Sequence, residues 1–286
     1  MERFVNKVAI VTGGASGIGK ALCEELARRG AATVVVADID AEGAQGVAAT
    51  DGRMQAMHVD VSCEEDVQRL VDKTVSQHGR LDLMINNAGT TICGEVRDLT
   101  VEHWRRMIDV NLWGVIYGTA SAYRLMVEQG FGHIVNVASL DGLAPMPLAA
   151  PYTAAKHAVV GLSTALRIEA ADLGVQVSVA CPGAVRTGVL DAATFVQIDR
   201  EKAIAEMQSG FTMADPGDCA RAILRGVERN QAIIIDAPHN RLFWWLYRFS
   251  PLMYITLMQA GVNHMRPLRQ ESTVETEEMY EYPNSG

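Results

Sequence analysis

The chain has 286 residues, 49% of them hydrophobic, with 25 Gly, 9 Pro and a formal net charge of −9. That length buries one substantial core, and the composition excludes collagen-like and broadly disordered classes. Net acidity without a Lys/Arg cluster argues against a nucleic-acid partner.

The opening segment, Met1 to Lys7, is too polar and short for a signal peptide, so a cytoplasmic protein is expected. The apolar run Val8–Val11 predicts a first buried strand, and Ile18–Arg29 a first helix. Between them lies Thr12-Gly13-Gly14-Ala15-Ser16-Gly17-Ile18-Gly19. Glycines at a strand-to-helix turn let the backbone approach a pyrophosphate, which then faces free N–H groups of the helix. The spacing is GxxxGxG rather than GxGxxG, so position between strand and helix carries the reading.

A second strand, Thr33–Ala37, ends at Asp38. A carboxylate there, about 20 residues past the glycines, accepts hydrogen bonds from the adenosine ribose and repels the extra phosphate of NADP. Ile39 follows, not a basic residue, and Asp40 can cap the next helix, leaving Asp38 free. The cofactor expected is therefore NAD. The third strand, Met54–Val59, runs into Asp60-Val61, suited either to the adenine edge or to capping the helix Glu64–Gln77. The fourth, Leu81–Ile85, ends in Asn86-Asn87-Ala88-Gly89, where Asn bridges backbones and Gly allows close approach.

A helix is expected over Val101–Glu128, with Asn111 as an awkward amide in an apolar stretch that must bind backbone or water. Strand Ile134–Ala138 leads to Ser139, whose hydroxyl can donate to a substrate oxygen. The helix Thr153–Asp172 is preceded by Tyr152, and Tyr152 and Lys156 are four apart, on one helical face. Lys156 should lower the Tyr152 pKa from its ordinary value of about 10, making Tyr152 the general acid in reduction and base in oxidation. Strands Val175–Ala180 and Ala232–Ile235 and the helix Pro216–Glu228 complete the alternation.

Strand–helix alternation predicts an α/β doubly wound parallel sheet, the Rossmann fold, as a single domain with a C-terminal extension. Residues 1–236 form the dinucleotide-binding and catalytic domain, with 188–212 as a substrate lid. Residues 237–270 form an apolar extension, and 271–286, holding Glu271, Glu275, Glu277, Glu278 and Glu281, an acidic tail expected to be disordered. Leu242–Tyr247 is apolar on every helical face, so it should cover the substrate mouth or a subunit contact, with monotopic membrane attachment ranked second. Cys23, Cys63, Cys93, Cys181 and Cys219 are widely spaced without a CxxC, so no metal site and no disulfide framework are expected.

Taken together, TGxxxGIG, the Asp after strand two, DV, NNAG, the helical Asn, Ser, YxxxK and PG occur in one order over roughly the first 236 residues. In this the chain resembles the short-chain dehydrogenase/reductase family. The resemblance implies a tetrad Asn111–Ser139–Tyr152–Lys156, with Lys156 also holding the nicotinamide ribose and Asn111 anchoring a relay water. It also implies a nicotinamide-binding turn at Pro182-Gly183 with Val185 and Thr187, and a homodimer or homotetramer. The pocket walls Thr90–Val96, Leu140–Ala150 and Gly188–Thr212 are largely apolar, with Asp141 and Glu95 as charges on the first two. They favour a hydrophobic secondary alcohol or ketone, steroid- or terpenoid-like substrates included. The alternatives are an NADPH-dependent carbonyl or 3-oxoacyl reductase, which Asp38 disfavours, and a silent NAD-binding scaffold or sensor, which the full tetrad disfavours.

Overall fold

The computed structural model describes residues 2–188, 193–210 and 213–269. The first strand, β1 (Val8–Thr12), is buried throughout, and α1 (Gly17–Arg28) follows it. Next come β2 (Thr33–Asp38), α2 (Ala41–Ala48), β3 (Met54–His58), α3 (Glu64–His78) and β4 (Leu83–Asn86). The second half adds β6 (Gly132–Val137), α6 (Ala150–Glu169), β7 (Val175–Ala180), α8 (Pro216–Glu228) and β9 (Ile233–Ile234). These strands form one sheet of order β3-β2-β1-β4-β6-β7-β9, all parallel. The order reverses between β1 and β4, the switch point at which such sheets bind ligands.

Strand alternation divides the core between the two faces. Ala9, Val11, Val34 and Val36 pack with Leu22, Leu26, Val47, Ile223 and Leu224, from α1, α2 and α8. Ile10, Val35 and Ala37 pack on the other face with Val67, Leu70, Met126 and Leu166, from α3, α6 and α5 (Gly114–Gln129). A strand buried on both sides has no polar alternation to show, which is why these runs read as continuously apolar.

Three features differ from the sequence reading. The helix expected over Val101–Glu128 runs without a break from Val101 to Gln129, as α4 (Val101–Ile108) and α5, but widens to a π-helical turn at Asp109–Trp113 between them. The short helix α2, capped by Asp40, has no assigned span in the sequence reading. A separate two-stranded parallel pair joins β5 (Ile92–Cys93) to β8 (Thr194–Phe195), so two of the expected pocket walls are stitched together. The expected lid is described only in part: it holds β8 and α7 (Arg200–Gly210), while 189–192 and 211–212 lie outside the described residues. The acidic tail 271–286 also lies outside them.

The extension is a helical hairpin, α9 (Pro238–Phe249) and α10 (Pro251–Met265), broken at Ser250-Pro251. Proline ends α9, because it lacks the N–H a continuing helix needs, and is tolerated in the first turn of α10. Trp244 packs against a third core cluster that includes Leu143, Val159 and Ile235. Tyr254 is buried, and its hydroxyl donates to the Pro145 carbonyl at 3.0 Å. The hairpin thus lies on the Leu140–Ala150 wall.

Candidate active site

The dinucleotide end is built by close backbone approach. Gly13 has φ +65°, and a Cβ there would lie 2.8 Å from the Ala88 Cα. A Cβ on Gly19 would lie 1.9 Å from the Gly13 carbonyl oxygen, so no side chain fits there. Ser16 is the N-cap of α1 but makes no side-chain cap bond, and the first turn of α1 carries no acidic residue. Ser16, Gly17, Ile18 and Gly19 therefore present an anion-ready helix start. Gly17 faces Thr187 across the cleft: a Cβ on it would lie 3.0 Å from the Thr187 methyl.

Asp38 ends β2 beside this turn. It is not free, as expected from the sequence, but bonded: Ala15 N–H donates to it at 2.9 Å and Asp40 N–H at 3.0 Å. These use one carboxylate oxygen each, and each oxygen keeps accepting capacity for a ribose hydroxyl. Asp60 accepts the Ser62 N–H at 2.9 Å and the Ser62 hydroxyl at 2.7 Å, so it shapes the turn before α3. Val61 packs against Gly114 at the start of α5. Asn87 donates to the Thr12 and Gly13 carbonyls at 2.9 and 3.2 Å, while Thr12 Oγ1 accepts the N–H groups of Asn87 and Ala88. The ends of β1 and β4 are thereby locked at the switch point.

Lys156 is buried and extends from α6 to donate to the Val137 carbonyl at 2.9 Å. Its ammonium lies 5.5 Å from the centroid of the Tyr152 ring. Burial pushes Lys156 down to about 8. For Tyr152 the sequence expectation is reversed. Burial raises its pKa, the Asp141 carboxylate raises it further, and Ser139 opposes them through a hydrogen bond. The phenol is removed from water, and a negative charge faces it, so the neutral form is favoured. Asp141 is itself pushed up to about 6, chiefly by burial, against the pull of Ser139 and Lys156.

Ser139 accepts the Asp141 N–H at 3.1 Å, which fixes its oxygen next to Tyr152 and Asp141. Asn111 is fully buried in the π-turn. It donates to the carbonyls of Thr90 (3.0 Å) and Met107 (3.1 Å) and accepts the Thr90 N–H. Both amide hydrogens therefore go to backbone, and Oδ1 keeps accepting capacity beyond its bond from Thr90. It also abuts Gly89, where a Cβ would lie 2.9 Å from Asn111 Oδ1 and 3.6 Å from Lys156 Nζ. Asn111, Ser139, Tyr152 and Lys156 thus converge beyond the carboxyl ends of β4 and β6.

The turn after β7 has a partner that the sequence reading misses. Gly183 N–H donates to Asp236 Oδ1 at 3.2 Å, and Asn240 Nδ2 donates to the same oxygen at 2.7 Å. Asn240 is buried, and a Cβ on Gly183 would strike it at 2.3 Å. The i, i+4 spacing of Asp236 and Asn240 was the available signal. Pro182 accepts the Leu140 N–H, Val185 bridges to Ala214, and Thr187 N–H donates to the Val185 carbonyl. Glu95, a wall charge expected near substrate, pairs with Arg97 at 3.1 Å and Arg266 at 3.6 Å. Among the described residues no cluster of His, Cys, Asp and Glu could hold a metal ion, and no helix is long and apolar enough to cross a membrane.

The short chain dehydrogenase family model matches residues 7–195. The chain belongs to this short-chain dehydrogenase/reductase family. It is 32% identical over 274 residues to SadH of Mycobacterium tuberculosis, which bears an oxidoreductase name, covering 93% of this chain and 99% of that one. It is 41% identical over 196 residues to the cyclohexanol dehydrogenase of an Acinetobacter species, covering 66% of this chain and 77% of the relative. A short-chain dehydrogenase/reductase from Burkholderia phymatum, solved in complex with NAD, superposes with a TM-score of 0.79 at 29% identity, over 88% of this chain and 96% of that one. Family membership makes the chain an oxidoreductase that uses a nicotinamide cofactor, and the glycine cradle, uncapped helix start and locked strand ends fit such a dinucleotide.

Proposed function

We propose that this enzyme interconverts a hydrophobic secondary alcohol and its ketone with NAD(H). The observation that carries the cofactor choice is Asp38. Its carboxylate is pinned by Ala15 and Asp40 beside the glycine turn, next to exposed Ile39. A phosphate on the adenosine ribose would meet that fixed charge with no basic neighbour in sequence, so NADP is disfavoured. The NAD in the Burkholderia phymatum structure agrees with this reading.

The bound dinucleotide supplies or accepts the hydride. The chain's part is position and proton transfer. Ser139 donates to the substrate oxygen, and Tyr152, held neutral, gives its proton to that oxygen in reduction. In oxidation the same oxygen, as the phenolate, takes the proton back, with the buried Lys156 ammonium 5.5 Å from the ring centroid. Gly183 and Thr187 seat the nicotinamide amide, and Asp60, Val61, Asn87, Ala88 and Gly89 line the adenosine side.

Buried Leu143 and Ala144, with Ile92 and Cys93 opposite, give an apolar wall, and the resemblance to cyclohexanol dehydrogenase is in keeping with a cyclic alcohol. The test is a panel of alicyclic and steroid-like alcohols and ketones, each offered with NADH or NADPH and followed by cofactor absorbance. Turnover preferring NADPH, or confined to charged substrates, overturns the reading.

A further inference from the structure

The helical hairpin α9–α10 has an inner and an outer face. Tyr254, Trp244 and Asn240 turn inward, as described above, and Tyr247 packs edge-on against Tyr254 with centroids 5.2 Å apart. The outward side chains are apolar too. Leu242 is 70% exposed, Phe249 74% and Leu252 79%, and Met253, Ile255 and Leu257 join them. Trp245, 49% exposed, stacks on Phe249 with centroids 5.0 Å apart. Such a concentration of exposed large apolar side chains on adjacent helices requires a partner surface.

Charge indicates which partner. The whole chain carries a formal net charge of −9, yet between Asp236 and Glu271 it holds four arginines and no Asp, Glu or Lys. Arg269 is paired with Asp98, and Arg266 with Glu95. Arg241 and Arg248 are exposed on α9, and neither is within ion-pair distance of a carboxylate among the described residues. Arg248 lies 6.0 Å over the Trp244 ring, so its charge stays at the surface. An apolar face with aromatic side chains, flanked by two exposed arginines and shorn of acids, is complementary to an anionic lipid surface. Neither helix spans a membrane, so the hairpin would lie in the interface.

We propose that the outer face of α9–α10 docks the enzyme on an anionic bilayer surface, with Leu242, Trp245, Phe249 and Leu252 entering the interface and Arg241 and Arg248 meeting lipid phosphates. This docking is independent of which alcohol the enzyme oxidises.

The test is co-sedimentation of the full-length protein with phosphatidylcholine vesicles, with and without phosphatidylglycerol. Binding to the anionic vesicles is expected, and it should fall as salt is raised. Arg241→Gln with Arg248→Gln should weaken it by upward of about tenfold. The triple variant Leu242→Ser, Phe249→Ser, Leu252→Ser should abolish it while leaving the melting temperature near wild type, because these side chains are exposed. Wild-type protein that stays in the supernatant with anionic vesicles overturns the proposal. So does a triple variant that keeps vesicle binding, or whose only change is a smaller assembly in gel filtration, since the face would then be covered by a second copy of the chain.

Discussion

Asp141 N–H donates to Ser139 Oγ at 3.1 Å, so the residue two places after the site serine brings a carboxylate into the reaction centre. That carboxylate raises the Tyr152 pKa and is itself held up near 6. Asp141→Asn keeps the backbone N–H and removes the charge. Its alcohol-oxidation pH profile should therefore shift to lower pH by up to about one unit, because the Tyr152 phenolate no longer faces a negative neighbour. An unchanged profile would detach Asp141 from the proton step.

The same residue makes a stability prediction. Its folded pKa lies near 6, above its ordinary 3.8. Between those values the native state binds more protons than the unfolded chain, so stability falls as pH rises through that window and stays reduced above it. Wild type should lose about 1–2 kcal/mol from pH 4 to pH 6.5 relative to Asp141→Asn, after allowance for its partial exposure. Paired thermal melts across that range measure the difference. A gap that is constant with pH rules out the assigned shift.

Asp38→Ala with Ile39→Arg should move the NADPH-to-NADH preference by about 100-fold, from lost repulsion and gained attraction. The double variant should also be less stable by about 1–3 kcal/mol, because the N–H groups of Ala15 and Asp40 lose their acceptor. Binding constants for both cofactors separate the two effects. A wild type that already binds them equally removes the role given to Asp38.

Tyr152→Phe should lower kcat by about 100- to 10,000-fold with NADH affinity nearly unchanged, since it removes only the exchangeable proton. Lys156→Ala should damage affinity and turnover together. It also strips the Val137 carbonyl of a buried donor, so a fall in melting temperature should accompany the kinetic loss. Near-normal turnover in Tyr152→Phe sinks the proton-transfer assignment.

The sheet was legible because both-face burial makes β1 and β2 near-continuous Val, Ile and Ala runs, each ended by a chemically distinctive turn. The site residues were legible because Gly13–Gly19 and Asn87 sit at such ends, while Tyr152 and Lys156 keep a one-turn spacing within α6. What escaped was set by contacts distant in sequence. The π-turn around Asn111 has no signal of its own periodicity, as its amide is satisfied by Thr90 across the cleft. The Tyr152 shift depends on Asp141 and on burial, neither of which the four-residue Tyr–Lys spacing reports. The β5–β8 pair is two residues long on each side, too short to alternate.

The last prediction concerns the extension, where Asn240 joins α9 to the turn at Gly183. Asp236 Oδ1 receives both Asn240 Nδ2 and the Gly183 N–H, while Asp236 Oδ2 is buried without a partner among the described residues. Removing the Asn240 amide leaves that carboxylate still less satisfied and opens space against Gly183. Asn240→Ala should therefore cost about 1–3 kcal/mol of stability. It should also weaken NADH binding several-fold if Gly183 seats the nicotinamide. Truncation after Asp236 should do the same and more, since it removes Asn240, Trp244 and Tyr254 at once. Truncation after Gln270 should leave kcat, KM and NADH affinity at wild-type values. Titrating NADH into all three proteins, alongside thermal melts, decides the matter: full affinity in Asn240→Ala would show that α9 does not support the cofactor turn.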